Sequence, residues 1–140
     1  MVRSMSYEQR AALWRPESGP IGAAIDHVRL SYCYLDEGDL DAYCSLFTEQ
    51  VVLRQPGLHP VSGRDELERA ARKRRAGKHF RHHLYEVFGS GQRVAAVGRL
   101  AHLHPPGADV DFIDVFTVAD SGLLSGRTTF LFTPAEQQAC

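Results

Sequence analysis

One carboxylate, Asp114, stands in the apolar run Phe112-Ile113-Asp114-Val115-Phe116. In an extended chain alternate side chains share a face, so Phe112, Asp114 and Phe116 point the same way and the acid lies between two aromatic rings. Taking a carboxylate out of water without a partner is costly. The usual escape is a raised pKa, which leaves a neutral group able to donate a hydrogen bond or a proton at neutral pH. That is the chemistry of a general acid; a structural Asp satisfied by Arg or backbone amides is the competing account. His82 offers the complementary group. If Phe80, Leu84 and Phe88 face the interior, alternation takes His82 inward and leaves His83 and Tyr85 on the other face. An imidazole there is a candidate general base, because its ordinary pKa lies nearest to neutrality, whereas a hydrogen-bonded core histidine is the alternative.

Two further residues could serve these. Tyr32, unlike Tyr34, keeps step with the apolar stripe of its helix, so its phenol is expected to point into the domain and to need a partner. Asp36 falls near the C-terminal end of that helix, the unfavourable end of the macrodipole, and is therefore either exposed or held for a reason. His102 and His104 share one face at the end of a strand. Such a pair can bind metal, yet no third ligand stands at a recognised spacing and no His-Glu-x-x-His occurs, so His104 is read as lining a pocket mouth or facing water, with no metal. There is also no Gly-x-Ser-x-Gly and no phosphate-binding Gly-x-x-x-x-Gly-Lys-Ser/Thr.

The elements that must position these groups follow from periodicity. Residues 1–20, with Pro16, Gly19 and Pro20, read as a flexible lead-in with one short helical turn at Leu13 and Trp14. Ile21, Ala24, Ile25, Val28, Tyr32 and Leu35 recur at helical spacing up to Gly38. Asp39 then caps a short second helix carrying Leu40, Tyr43, Cys44 and Phe47 on one side. A strand at Val51-Val52-Leu53 runs into turns at 55–60, and Ser62-Gly63-Arg64-Asp65, with capping-box spacing, opens a third helix with a narrow Leu67-Ala70-Ala71 stripe. Four strands are expected at about 79–88, 93–104, 110–119 and 123–133, separated by Gly89-Ser90-Gly91-Gln92, Pro105-Pro106-Gly107 and Asp120-Ser121-Gly122. Helices followed by an antiparallel meander imply an α+β domain over 21–133, its curved, mostly antiparallel sheet wrapped around N-terminal helices, with a C-terminal tail at 134–140.

Composition sets the wider bounds. A chain of 140 residues, 44% hydrophobic and 24% charged, suits one globular domain with a real core. Sixteen basic against seventeen acidic residues leave a net charge of -1, which gives no bulk attraction to nucleic acid or to an anionic membrane. No apolar run spans a membrane and the first twenty residues lack a signal-peptide core, so a cytoplasmic protein is expected. Cys33, Cys44 and Cys140 are odd in number and read as reduced thiols. The basic run Arg69, Arg72, Lys73, Arg74, Arg75 and Lys78 covers most of the third helix. It reads as a solvated face, or as a dock for an acidic carrier protein at 69–78. Without interleaved aromatics it argues against nucleic acid. The outward residues Tyr85, Val87, Ile113 and Val115 are apolar enough to predict a homodimer through the sheet.

The order of elements resembles the nuclear transport factor 2-like superfamily over about residues 21 to 133. The resemblance rests on Asp36-Glu37-Gly38-Asp39-Leu40-Asp41, Leu46-Phe47, Ser62-Gly63-Arg64-Asp65, a strand opening at His82, Val94-Ala95-Ala96-Val97-Gly98, and Phe112-x-Asp114-x-Phe116 ahead of Asp120-Ser121-Gly122. It implies a conical α+β barrel around a deep pocket. Within it the chain is similar to the SnoaL-like and scytalone dehydratase-like branch, which implies cyclisation, dehydration or isomerisation of polyketide- or terpenoid-type intermediates without a cofactor. The resemblance implies roles for a strand histidine placed like His82, a polar partner near His104 and an aspartate placed like Asp36. Asp114 falls where ketosteroid isomerases keep a neutral aspartic acid. The position of their base aspartate is Gln55 here, and the first-helix tyrosine of both groups aligns nearer Ser31 than Tyr32. Arg99 with Asp114 leaves open a reduced form of the relay of epoxide hydrolases.

The reading is a cofactor-independent acid/base enzyme acting on a hydrophobic oxygenated small molecule. His82 moves the proton, Asp114 serves the substrate oxygen, and Tyr32 and His104 orient the other end. Phe80, Leu84, Phe88, Phe112, Phe116 and Phe130 are expected to form apolar walls. A non-catalytic ligand-binding or dimerisation module and an epoxide-opening enzyme are the alternatives.

Overall fold

The first helix ends where its sequence provides a glycine. In the computed structural model, which describes residues 20–103 and 108–132, α1 (Pro20–Glu37) stops at Gly38. With φ 78° Gly38 adopts the left-handed conformation that side chains resist. Its N–H donates to Leu35 O at 3.2 Å and the N–H of Asp39 donates to Tyr34 O at 2.9 Å, the paired bonds of a Schellman motif. Asp39 then caps α2 (Leu40–Ser45) by accepting from the Ala42 N–H at 3.2 Å.

β1 (Phe47–Arg54) is longer than its Val51-Val52-Leu53 centre and pairs with the short β2 (Val61–Ser62). α3 (Arg64–Arg75) follows. Its start differs from the expected capping box. Gly63, at φ 89°, occupies the cap position with no side-chain bond, and Glu66, not Asp65, reaches back to the Ser62 N–H at 2.8 Å.

The remaining strands, β3 (Phe80–Ser90), β4 (Arg93–His102), β5 (Val110–Val118) and β6 (Leu124–Phe132), form the antiparallel meander. β1 adds parallel to β6, giving one open, curved six-stranded sheet in the order β2-β1-β6-β5-β4-β3. The helices cover its inner face. Tyr43, Phe47, Phe116, Leu67 and Val28 are buried between the two layers.

Two bulges decide which side chains reach that inner face. On β3 the register shifts between Leu84 and Glu86, opposite Gly98. A Cβ on Gly98 would meet His83 O at 2.4 Å and the Phe112 ring at 3.1 Å, so only glycine lets the strands approach this closely. Before the bulge Phe80, His82 and Leu84 point inward. After it the phase inverts: Val87 packs against the core and Phe88 is 51% exposed. The expected inward Phe88 and outward Val87 are therefore exchanged. A second shift between Thr117 and Val118 sets Arg127 opposite Phe116 and Phe130 opposite Ile113. Phe130 consequently lies on the outer face and is not a wall of the interior.

Candidate active site

His82 reaches the inner face from β3, and the end of α1 holds it there. Asp36 Oδ1 lies 2.6 Å from His82 Nδ1, and Oδ2 accepts the His82 backbone N–H at 2.9 Å. A carboxylate that accepts on both oxygens assigns the proton of the neutral ring to Nδ1 and leaves the lone pair on Nε2. The imidazole is enclosed by aromatic rings, with centroids of Tyr32, Phe80 and Phe112 at 5.0, 5.6 and 5.7 Å. Only 5% of its side chain is exposed. Asp36 is thus held for a reason, 46 residues away in sequence from the ring it orients.

Asp114 projects from the middle of β5 and is buried. The Tyr32 hydroxyl donates to Oδ2 at 2.5 Å and the Thr129 hydroxyl donates to Oδ1 at 2.5 Å. Two of the roughly four lone-pair sites of a carboxylate are thereby filled, which leaves about two for a substrate hydroxyl or a proton. No described Arg or Lys forms an ion pair with it. Tyr32 ties the two halves of the site together: its ring packs on His82 and its hydroxyl binds Asp114. Burial, and then the neighbouring Asp114, push its pKa well above 10.0, so the phenol remains a donor. Ser31, the neighbouring candidate on α1, is buried as well but donates to Val28 O at 2.6 Å within its own helix.

His82 and Asp114 line a common cavity of about 30 Å³ with Phe112, Leu100, Thr129, Leu131, Arg74 and Arg127. Arg74 and Arg127 also line a larger cavity of about 430 Å³ bounded by Leu35, Tyr43, Leu53, Leu58, Val61 and Leu67. Arg127 is 6% exposed, and its Nη1 donates to the Tyr43 hydroxyl at 3.2 Å. Burial opposes its charge, but Tyr43, Asp114 and Tyr32 together outweigh that penalty and hold it a cation.

Phe80 and Phe112 surround the imidazole, Phe116 meets Tyr32 edge-on at 6.2 Å, and Leu84 is half-buried against the core. Phe88 and Phe130 belong to the opposite face. His104, the Pro105-Pro106-Gly107 turn, the Leu13-Trp14 segment, Cys140 and the 134–140 tail lie outside the described residues. His102 is engaged at Nδ1 by Ala108 O at 3.0 Å. Arg99 is on the outer face in a two-point pair with Asp111, at 2.8 and 3.4 Å, so it cannot join Asp114 in a relay. The basic helix is not wholly solvated either. Arg75 turns in to the last carbonyls of α1, donating to Leu35 O at 3.0 Å and Asp36 O at 2.8 Å, and Arg74 stacks 5.5 Å from the Phe80 ring.

Thr129, Arg127 and Arg74 are the site-lining residues that periodicity does not reveal. Alternation from Leu124 sends Arg127 outward, and only the bulge at Thr117/Val118 reverses it. The same bulge sets Thr129 opposite Asp114: the Val118–Leu124 register at the turn, continued without it, would place Thr128 there, so the sequence alone does not single out Thr129.

The fold has many solved relatives. A LEH-like epoxide hydrolase of Mycobacterium tuberculosis superposes with a TM-score of 0.73 at 17% identity, covering 81% of this chain and 86% of that one. Bal32a, from a soil-derived mobile gene cassette, gives 0.73 at 20% identity, covering 81% and 92%. SalBIII, an epoxide hydrolase/cyclase-like enzyme of pyran ring formation in the polyether salinomycin, gives 0.68 at 20% identity, covering 79% and 91%. No curated protein matches the sequence. Residues 28–125 match the SnoaL-like domain, and the chain belongs to that family of the nuclear transport factor 2-like superfamily.

Proposed function

We propose that the protein is a cofactor-independent acid/base enzyme, a cyclase, dehydratase or isomerase, acting on a hydrophobic oxygenated small molecule of polyketide or terpenoid type. The observation that carries this reading is the convergence of His82 and Asp114 on one cavity, with Asp36 fixing the imidazole from behind. A histidine needed only for packing does not require a half-buried carboxylate on Nδ1 and a cavity in front. The same arrangement orients the base of many proton-transfer sites.

In this reading His82 Nε2 removes a proton from carbon next to a carbonyl or hydroxyl-bearing centre. The Asp36 carboxylate stabilises the imidazolium that forms. Asp114, with two hydroxyl donors already on it, holds a substrate hydroxyl at the other end by accepting its hydrogen bond through the remaining lone-pair sites. The His82 imidazolium returns the proton it took, to the departing oxygen in a dehydration or to the new carbon position in an isomerisation or cyclisation. Phe80, Phe112 and Tyr32 keep water from the imidazole. A positioned general base and acid each supply about 10²–10⁴ in rate. Cyclases, isomerases and epoxide hydrolases all occur on this fold, so the fold does not choose among them.

Mass spectrometry of a panel of hydroxylated polyketide-like ketones and epoxides distinguishes these reactions. Loss of water marks a dehydratase, an unchanged mass with a new retention time a cyclase or isomerase, and gain of water an epoxide hydrolase. The proposal expects the first or second outcome, absent in His82→Ala. Binding of the panel with no conversion by the wild type would instead support a ligand-binding module.

A further inference from the structure

The acid/base groups line the small cavity, and the larger one beside it, with room for the body of a substrate, has an electrostatic character that proton transfer alone does not explain. Arg127, Arg74, Lys73 and Lys78 contribute to its lining, and no Asp or Glu does. Four cations and no carboxylate line this mostly apolar space, and the nearest acid, Asp114, stands in the smaller cavity, an unexpected balance in a chain whose net charge is -1. Lys73 and Lys78 are exposed at the rim, whereas the guanidinium of Arg127 is buried at the junction of the two cavities.

Arg127 is also incompletely satisfied. Its Nη1 donates to Tyr43, but its Nε is buried with no hydrogen-bond partner, and among the described residues neither Arg127 nor Arg74 has an ion-pair partner. A buried donor on a charged group without a partner is destabilising, and a ligand acceptor would relieve it. A planar guanidinium offers parallel N–H bonds that match a carboxylate better than a hydroxyl or an amide. Leu53, Leu58, Val61 and Leu67 supply the walls for an apolar body.

We propose that the larger cavity seats a monocarboxylate with a compact apolar body, its carboxylate against Arg127 where the two cavities meet. This rests on the acid/base reading insofar as it makes the bound acid the substrate: the carboxylate end is then anchored at Arg127, and the reacting carbons extend toward His82 and Asp114. Arg74 adds a second positive field at the same junction, and the rim lysines draw the anion in.

Calorimetric titration with trans-cinnamate and with trans-cinnamamide, which share one apolar body and differ in charge, tests the site without any turnover. The wild type is expected to bind the acid at least about tenfold more tightly than the amide. Arg127→Met is expected to remove that preference while His82→Ala retains it. Equal affinity for acid and amide in the wild type, or a preference that survives in folded Arg127→Met, overturns the proposal. If Arg127→Met does not fold, Arg127→Lys takes its place: it keeps the charge but loses the two-point geometry, so the preference is expected to shrink, and an undiminished one overturns the assignment to Arg127. Inorganic phosphate binding as tightly as cinnamate would show that the apolar walls contribute nothing and would equally overturn it. Because His82→Ala is read by binding alone, loss of carboxylate selectivity and loss of proton transfer fail separately.

Discussion

Asp111 and Asp114 stand three residues apart on β5 and face opposite ways. Asp111 is on the outer face, paired with Arg99, which lowers its pKa through their hydrogen bond. Asp114 is on the inner face, 4% exposed, with two hydroxyl donors and no ion pair among the described residues. The outer carboxylate meets a flexible cation in water, an arrangement of little energetic consequence that salt screens. The inner one is held by two neutral groups within a ring of aromatics. An acid that shares a cavity with Arg127 and Arg74, yet is hydrogen-bonded by two hydroxyls and not paired with either, is placed for something other than an ion pair, and the face of the sheet, not the residue type, makes the difference.

The largest contrast is expected in turnover. His82→Ala is expected to lower kcat about 10²–10⁴-fold, measured well below a melting temperature that the lost ring also lowers, and Asp36→Asn to follow it in direction, because the amide cannot hold the Nδ1–H tautomer as the carboxylate does. Asp111→Asn is expected to leave kcat unchanged. Equal losses in the inner and outer variants would break the comparison.

Stability comes next. Asp114→Ala strands the Tyr32 and Thr129 hydroxyls in the interior and is expected to cost about 2–4 kcal/mol, read from urea unfolding. Asp114→Asn keeps the shape and one acceptor oxygen, so it should retain the fold while losing turnover. Asp111→Ala should leave the urea midpoint within error.

The two buried phenols sharpen the contrast at high pH. Burial raises the pKa of Tyr32 and of Tyr43 above 10.0. A group whose folded pKa is raised stabilises fully below its unfolded value and loses that contribution as pH rises through the folded one. Stability should therefore fall above about pH 10, with Tyr32 and Tyr43 ionising only as the chain unfolds. Absorbance at 295 nm recorded alongside circular dichroism checks this; tyrosinate from either residue in the folded protein would contradict their burial. At the acid end, the lowered pKa of Asp111 gives a contribution present above its ordinary value and lost as pH falls through the folded one. Added salt should erase that small dependence.

The outer face also carries Tyr85, Phe88, Phe130 and Phe132, each at least half exposed. We propose that a second copy covers them, with Phe88 and Phe130 replacing Val87 in the expected interface. Light scattering is expected to give twice 15.6 kDa, and Phe130→Lys to halve it; a wild-type mass of 15.6 kDa at micromolar concentration would refute the pairing.

Alternation was enough to place Asp114 between Phe112 and Phe116, because β5 carries its inner-face residues in unbroken phase up to Phe116. It was enough for α1 too, where Tyr32 follows the apolar stripe and Gly38 stops the helix. It failed at the bulges. One extra residue near Tyr85 turned Phe88 outward, and the shift at Thr117/Val118 brought Arg127 in and left Phe130 out. A bulge depends on which residues face it across the sheet, and here Gly98, on another strand, is what permits the first one. The Asp36–His82 contact is long-range in the same sense: the position of Asp36 against the helix dipole signals a held carboxylate without naming what it holds.

Solvent deuterium exchange tests the central claim, that the inner face moves protons, whichever product the reaction forms. A panel of apolar ketones incubated with the protein in D₂O and followed by proton NMR should show loss of signal at carbon next to the carbonyl for the wild type and Asp111→Asn. The exchange rate should drop about 10²-fold or more in His82→Ala. Exchange at the same rate in His82→Ala as in the wild type would contradict the assignment of His82 as the base.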